Sequence, residues 1–127
     1  MTLYGKAAVL AVRMCRSNPG MTPAKAWAEA VAKCSTSSET QRKVCPREAF
    51  LGLCAGGYVS DVVPGTYGTG EKNKTYATRA AMLLRRIPAL ANDPLELWLQ
   101  VAGPSKVPNG QMGVVIALWQ EEMLKKT

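Results

Sequence analysis

Apolar residues return every three or four positions in six stretches of the chain, the spacing that places them on one face of an α-helix. Leu3, Tyr4, Ala7, Ala8, Leu10, Ala11, Met14 and Cys15 form the first stretch, with Gly20 beyond its end. Thr22 as N-cap and Pro23 in the first turn announce a second, which continues through Trp27, Ala28 and Val31 to about Cys34. Cys45-Pro46, with Glu48 near the N-terminus, starts a third that carries Phe50, Leu51, Leu53 and Cys54 and stops at Gly56-Gly57. A fourth runs from about Asn73, with Tyr76, Ala80, Leu83 and Ile87 expected as its buried stripe, to Pro88. Asp93-Pro94-Leu95-Glu96 reads as a capping box for a fifth, carrying Leu97, Trp98, Leu99 and Val101. The sixth begins after Asn109 and takes in Met112, Val115, Ile116, Trp119 and Met123.

The segments between them are polar or rich in Gly and Pro. Thr36-x-x-Glu39 could cap a short turn, but Pro46 would break any helix running through it. Residues 58–70 hold Pro64 and three glycines and read as an extended stretch followed by a loop. Only residues 58–63 could form a strand, and a lone strand makes no sheet. The expectation is therefore an all-α single domain over residues 1–127, a compact bundle of about six helices.

The order of segments repeats. Tyr4, Ala8 and Arg13 align with Tyr76, Ala80 and Arg85, and Thr22-Pro23-x3-Trp27 aligns with Asp93-Pro94-x3-Trp98. Residues 49–54 followed by Tyr58-Val59 align with residues 114–119 followed by Met123-Leu124. Three matches in one order predict two tandem three-helix units, 3–59 and 74–125, joined by a Gly-rich loop at 60–73 and related by a pseudo-two-fold. Trp27 and Trp98 should then occupy equivalent places between helices.

The runs CPREAFLGLC, KNKTYA and QMGVVIALW resemble a family of small uncharacterised bacterial proteins, treated as a domain of unknown function. The likeness covers nearly the whole chain. It implies a compact helical bacterial protein and brings no activity, ligand or catalytic residue.

Composition narrows the chemistry. The chain has 127 residues and no histidine, which removes Ser-His-Asp and Cys-His nucleophile pairs, an imidazole base and mixed Cys/His zinc sites. The four cysteines are spaced C-x18-C-x10-C-x8-C, without the close pairs a zinc knuckle uses, and read as small, buried, reduced thiols. No apolar run approaches the roughly 20 residues of a membrane span. Lys6 precedes an apolar stretch too short for a signal peptide, so a cytoplasmic location is expected. No metal and no cofactor are expected.

Sixteen Lys and Arg against nine Asp and Glu give a formal charge of +7, and much of it is local. Residues 72–86 hold Lys72, Lys74, Arg79, Arg85 and Arg86 without an acid, and the first 28 residues add Lys6, Arg13, Arg16 and Lys25, again without one. On a helical projection at about 100° per residue, Lys74 and Arg85 lie opposite the expected buried stripe, with Arg79 and Arg86 at its edge. One continuous positive face is expected, with Arg13 and Arg85 equivalent and exposed. Lys72, Lys74, Arg79, Arg85, Arg86 and Arg13 are accordingly the candidate nucleic-acid or anion-binding residues.

Other chemistry is thin. The loop from Gly65 to Lys74 has the glycine separation of a P-loop, but Glu71 intervenes, Asn73 stands where a hydroxyl must hold magnesium, and no parallel sheet is available. A weaker reading lets its backbone N–H groups, with Lys72 and Lys74, hold a phosphate at a helix N-terminus. Cys45 and Cys54 have no base nearby in sequence, and adjacent Glu121 and Glu122 suit a solvated surface. The expectation is a non-enzymatic binding or regulatory module for an acidic partner, nucleic acid first or else an acidic protein. The alternative is a protein-interaction adaptor or a homodimer, using the groove between the repeats or an apolar end around Trp119 and Met123.

Overall fold

A computed structural model describes residues 1–68 and 70–127. Its helices are α1 (Leu3–Ser17), α2 (Pro23–Cys34), the single turn α3 (Ser38–Gln41), α4 (Val44–Ala55), α5 (Glu71–Arg86), α6 (Pro94–Ala102) and α7 (Gln111–Gln120). A 3-10 turn, Pro88–Asn92, links α5 to α6. The fold is an all-α compact bundle.

The helix starts follow from side-chain oxygens that accept otherwise unpaired N–H groups of the first turn. Thr2 accepts from Gly5 at 3.0 Å, Thr22 from Lys25 at 3.2 Å, and Asp93 from Glu96 at 3.2 Å. Ser37, rather than Thr36, caps α3. The capping box at Asp93 is only half made, because the Glu96 carboxylate accepts from Gln100 Nε2 instead of reaching back to Asp93.

α1 lies against α2 and α7, while α4 lies against α5 and also touches α7. Small residues permit these approaches. A Cβ on Gly5 would stand 2.8 Å from the Ala117 Cβ, and one on Gly52 would stand 2.7 Å from the Lys74 Cα. Trp27, Trp98, Phe50, Leu53, Leu84, Leu97 and Leu118 are fully buried, each contributing about 1.5–3 kcal/mol of burial free energy. Tyr4 stacks on Trp27 at 6.3 Å between ring centroids, and Tyr76 meets Trp98 edge-on at 5.2 Å.

Beyond α4 and α7 the chain turns in the same way. Tyr58 N–H donates to Leu53 O and Met123 N–H to Leu118 O, closing each helix with a Schellman motif whose left-handed residue is Gly57 in one case and Glu122 in the other. The two exits then meet. Val59 and Leu124 form an antiparallel bridge, with Ser60 N–H donating to Met123 O at 2.8 Å and Lys125 N–H to Tyr58 O at 2.9 Å. This bridge is all that forms of the expected extended stretch.

Two expectations need correction. α7 ends at Gln120, so Glu121 and Glu122 are not on a helix, and Met123 is buried rather than part of an open apolar end. In α5 the buried stripe is Ala77, Ala80, Ala81 and Leu84, with Tyr76 and Leu83 at its margin and Ile87 exposed at 44%. Pro88 turns the chain before Ile87 can be covered, and small alanines rather than large residues face the tightly apposed α4.

Candidate functional site

The revised stripe changes where the charges of α5 point. At about 100° per residue, Lys72, Arg79 and Arg86 fall on one exposed line, while Lys74 and Arg85 fall on another roughly 130° away. The single continuous positive face thus divides into two rows, because the stripe is centred on Ala77 and Ala81 rather than on Tyr76 and Leu83.

Arg85 of the second row is held by the chain itself. Arg85 is half-buried, donates from Nε to the Lys125 carbonyl at 2.9 Å, and stands 5.3 Å above the Tyr58 ring. Lys74 is half-buried where its backbone meets Gly52. Arg13 is exposed but paired with Glu121 at 3.3 Å, so Arg13 and Arg85 do not share one exposed environment. Lys72, Arg79 and Arg86 are exposed, and no side-chain partner reaches them among the described residues. Arg79 and Arg86, with Met82, Leu83, Gln100 and Val101, line a shallow depression of about 280 Å³ between α5 and α6.

The glycine loop behaves differently from a phosphate cradle. Glu48 of α4 is buried, with 3% exposure, and its Oε2 accepts the Gly70 N–H at 2.8 Å just ahead of α5. Arg47 approaches Oε1 at 3.1 Å. A carboxylate of the protein therefore already occupies the electropositive end of α5, where the sequence suggested an external phosphate. Gly68 explains the close fit of the loop: its φ is +78°, and a Cβ there would meet Glu48 Oε2 and Leu51. Glu48, Gly52, Ala55 and Lys74, with Gly65, Tyr67 and neighbouring loop residues, enclose a cavity of about 110 Å³. Thr69 of this motif lies outside the described residues.

Glu48 is the residue that sequence reasoning undervalued. It is the one acid in CPREAFLGLC, beside Arg47 and followed by six residues without charge, and a carboxylate carried into a core on such a helix requires internal partners.

The remaining reactive groups are few. All four cysteines are free, but only Cys54 is fully buried, and Cys15, Cys34 and Cys45 are half-buried, which corrects the expectation of four buried thiols. Burial pushes the Cys54 thiol far above its ordinary range, reinforced by neighbouring Cys15, whose own thiol burial also raises. A thiol held protonated is a poor nucleophile. Burial, and then the Glu39 charge, raises the Tyr4 hydroxyl, which donates to Thr40 O at 3.0 Å. Among the described residues no three His, Cys, Asp or Glu side chains gather to hold a metal, and no helix is long and apolar enough to cross a membrane.

Two larger hollows remain. One of about 630 Å³ lies between the α1–α2 turn and residues 61–67, lined by Cys15, Arg16, Pro23, Val62, Val63 and Tyr67 among others. Another of about 430 Å³ lies between the start of α6 and the exposed side of α7.

The sequence profile of a family of unknown function, DUF6979, matches residues 1–125. The chain belongs to this family. No curated protein and no solved structure matches it. Membership of DUF6979 agrees with the resemblance carried by the CPREAFLGLC, KNKTYA and QMGVVIALW runs.

Proposed function

We propose that this DUF6979 protein is a non-catalytic binding module that takes a polyanion, nucleic acid first, along the Lys72, Arg79 and Arg86 line of α5. One observation carries the reading. Of the chain's seven arginines, Arg13, Arg16, Arg47 and Arg85 are each held by an internal acceptor, whereas Arg79 and Arg86 share an exposed line with Lys72 and have none among the described residues; Arg42, also exposed and without one, stands apart at the end of α3. Successive members of that line lie about 10.5 Å apart along the helix axis, comparable to the screening length of about 10 Å at 0.1 M salt. Each therefore acts largely on its own and can pair with a separate phosphate. Met82 and Leu83 beside them offer apolar contact for a ribose or base edge.

Three phosphate contacts give a salt dependence with a logarithmic slope of about −2.7. Fluorescence anisotropy with a labelled oligonucleotide should show affinity falling about forty-fold between 50 and 200 mM salt. The double substitution Arg79→Ala/Arg86→Ala should leave one contact and reduce that fall to about 3.5-fold. Absence of binding to both duplex and single-stranded probes at 50 mM salt overturns the proposal.

A further inference from the structure

We propose that the 430 Å³ hollow between α6 and α7 is a docking groove for a non-helical segment, free of Lys and Arg, of a partner protein, the counterpart of the groove that this chain fills with its own residues 63–68. The inference is independent of the polyanion reading and uses a different surface.

It begins with the Val59–Leu124 bridge. The alignment that pairs residues 49–54 with 114–119 also pairs Val59 with Leu124, Tyr58 with Met123, and Ser60 with Lys125 at the same offset. The two hydrogen bonds of the bridge, Ser60 N–H to Met123 O and Lys125 N–H to Tyr58 O, therefore exchange with one another under that pairing. An antiparallel pair of equivalent residues is what a two-fold axis through the bridge produces. The same operation exchanges α4 with α7 and α5 with α1, so the packing of α4 on α5 corresponds to that of α7 on α1.

The operation carries one groove onto the other. Glu48, Gly52, Ala55 and Lys74 line the 110 Å³ cavity in the first half, and their counterparts Gly113, Ala117, Gln120 and Thr2 all line the 430 Å³ hollow in the second. Pro23, which lines the hollow on the other side of Tyr67, corresponds to Pro94. In the first half residues 63–68, which form neither helix nor strand, lie between these walls, with Tyr67 bordering both hollows. In the second half no described residue lies between them, and the space is continuous.

The lining states the chemistry of the occupant. Met1, Thr2, Ala91, Pro94, Gly113, Ile116, Ala117 and Gln120 include no acidic side chain, so a lysine or arginine seated there would be desolvated without compensation. Gly68 must lack a side chain because Glu48 Oε2 would lie 2.6 Å from its Cβ. Gly113 replaces Glu48 in the second groove and is covered by the Thr2 side chain, so no carboxylate excludes an apolar side chain on the occupant beside it. Exposed Gln120, in the place of Ala55, supplies an amide that can pair with a peptide backbone.

The test is titration of the isotope-labelled full chain, followed by amide NMR shifts, with the nonapeptide VVPGTYVTG. This is the sequence of residues 62–70 with valine in place of Gly68. A second peptide carries lysine at that position. Saturable shifts confined to Thr2, Ala91, Gly113, Ala117 and Gln120 are expected with the valine peptide, at least ten-fold weaker with the lysine peptide. Ala91→Trp, which fills the groove from its wall, should weaken binding at least ten-fold, and Gln120→Lys at the exposed rim provides a second variant if the first does not fold. Absence of shifts at millimolar peptide, shifts elsewhere, or equal binding of both peptides overturns the proposal. Shifts at these residues that depend on protein concentration without peptide assign the groove to a second copy and overturn it as well.

Discussion

The regions around α4 and α7 leave their helices by the same turn and meet at one bridge, yet they carry different residues where polar groups must be satisfied and apolar ones covered. Around α4, a buried carboxylate, two glycines and an internal segment fill and close the surface: Glu48 holds Gly70, Gly57 takes the left-handed turn, and residues 63–68 cover Leu51 to 2% exposure. Around α7, Gly113, Glu122 and an open hollow stand in the corresponding places, and Ile116 is left at 9%. Trp27 and Trp98 differ similarly. Trp98 Nε1 donates to the Lys106 carbonyl at 2.9 Å, whereas the buried Trp27 Nε1 has no acceptor among the described residues. A shared helix exit thus leaves local satisfaction of polar groups and coverage of apolar ones to the individual sequence.

The largest test of this contrast is Glu48→Ala. Removing an acceptor from the desolvated Gly70 N–H, together with the partner of Arg47, should cost about 2–3 kcal/mol in urea unfolding. Faster hydrogen exchange should appear at Gly68 and Gly70 while the α7 side is unchanged. A loss below about 0.5 kcal/mol would show that the glycine loop is held by other contacts.

Next come the two tryptophans. Trp98→Phe loses a hydrogen bond as well as volume, and Trp27→Phe loses volume but relieves an unsatisfied N–H, so the former should be more destabilising by about 1–2 kcal/mol. Equal losses would mean that both indoles are equally satisfied.

Cys54 corresponds to Trp119 in the alignment and gives the first half a pH dependence. Its folded thiol is raised by burial, so the contribution to stability is intact below the unfolded value near 9.0 and declines as pH rises above it, where only the unfolded chain ionises. Its share of the slope is about 1.4 kcal/mol per pH unit. Denaturation at pH 9 and pH 10 should show a shallower decline for Cys54→Ala than for the unaltered chain.

The smallest effect concerns the helix exits. Glu122 pays for a left-handed backbone at φ +57°, so Glu122→Gly should stabilise by about 0.5–1 kcal/mol, after loss of its exposed pair with Lys126. Gly57→Ala should act in the opposite direction, since its φ is +78° and a Cβ would also meet Pro64 at 3.2 Å. Matching signs for the two substitutions would break the correspondence between the exits.

Most of the fold was legible because its signals are local. Thr22-Pro23 and Asp93-Pro94 cap helices as read, Gly56-Gly57 ends one, and the six periodic stretches all form helices. Boundaries moved where tertiary contacts intervened: α5 begins at Glu71 rather than Asn73, beside the bond from Gly70 to Glu48. The rows of α5 were less legible, because periodicity alone does not say whether alanines or larger residues face the neighbour. Which cations remain free was not legible at all. Arg85 is taken by a carbonyl 40 residues away and Arg13 by a carboxylate 108 residues away, distances in sequence that no local pattern encodes.

By itself the sequence determined the helical class, the helix caps and the absence of histidine chemistry, since each rests on residue identity or on spacing within a few turns. Only the tertiary structure decided that Glu48 occupies the positive end of α5, that Arg13 and Arg85 alone of the six candidate cations have side-chain partners among the described residues, and that the hollow between α6 and α7 is open. Those outcomes depend on which distant groups meet, and burial and electrostatics act through space rather than along the chain.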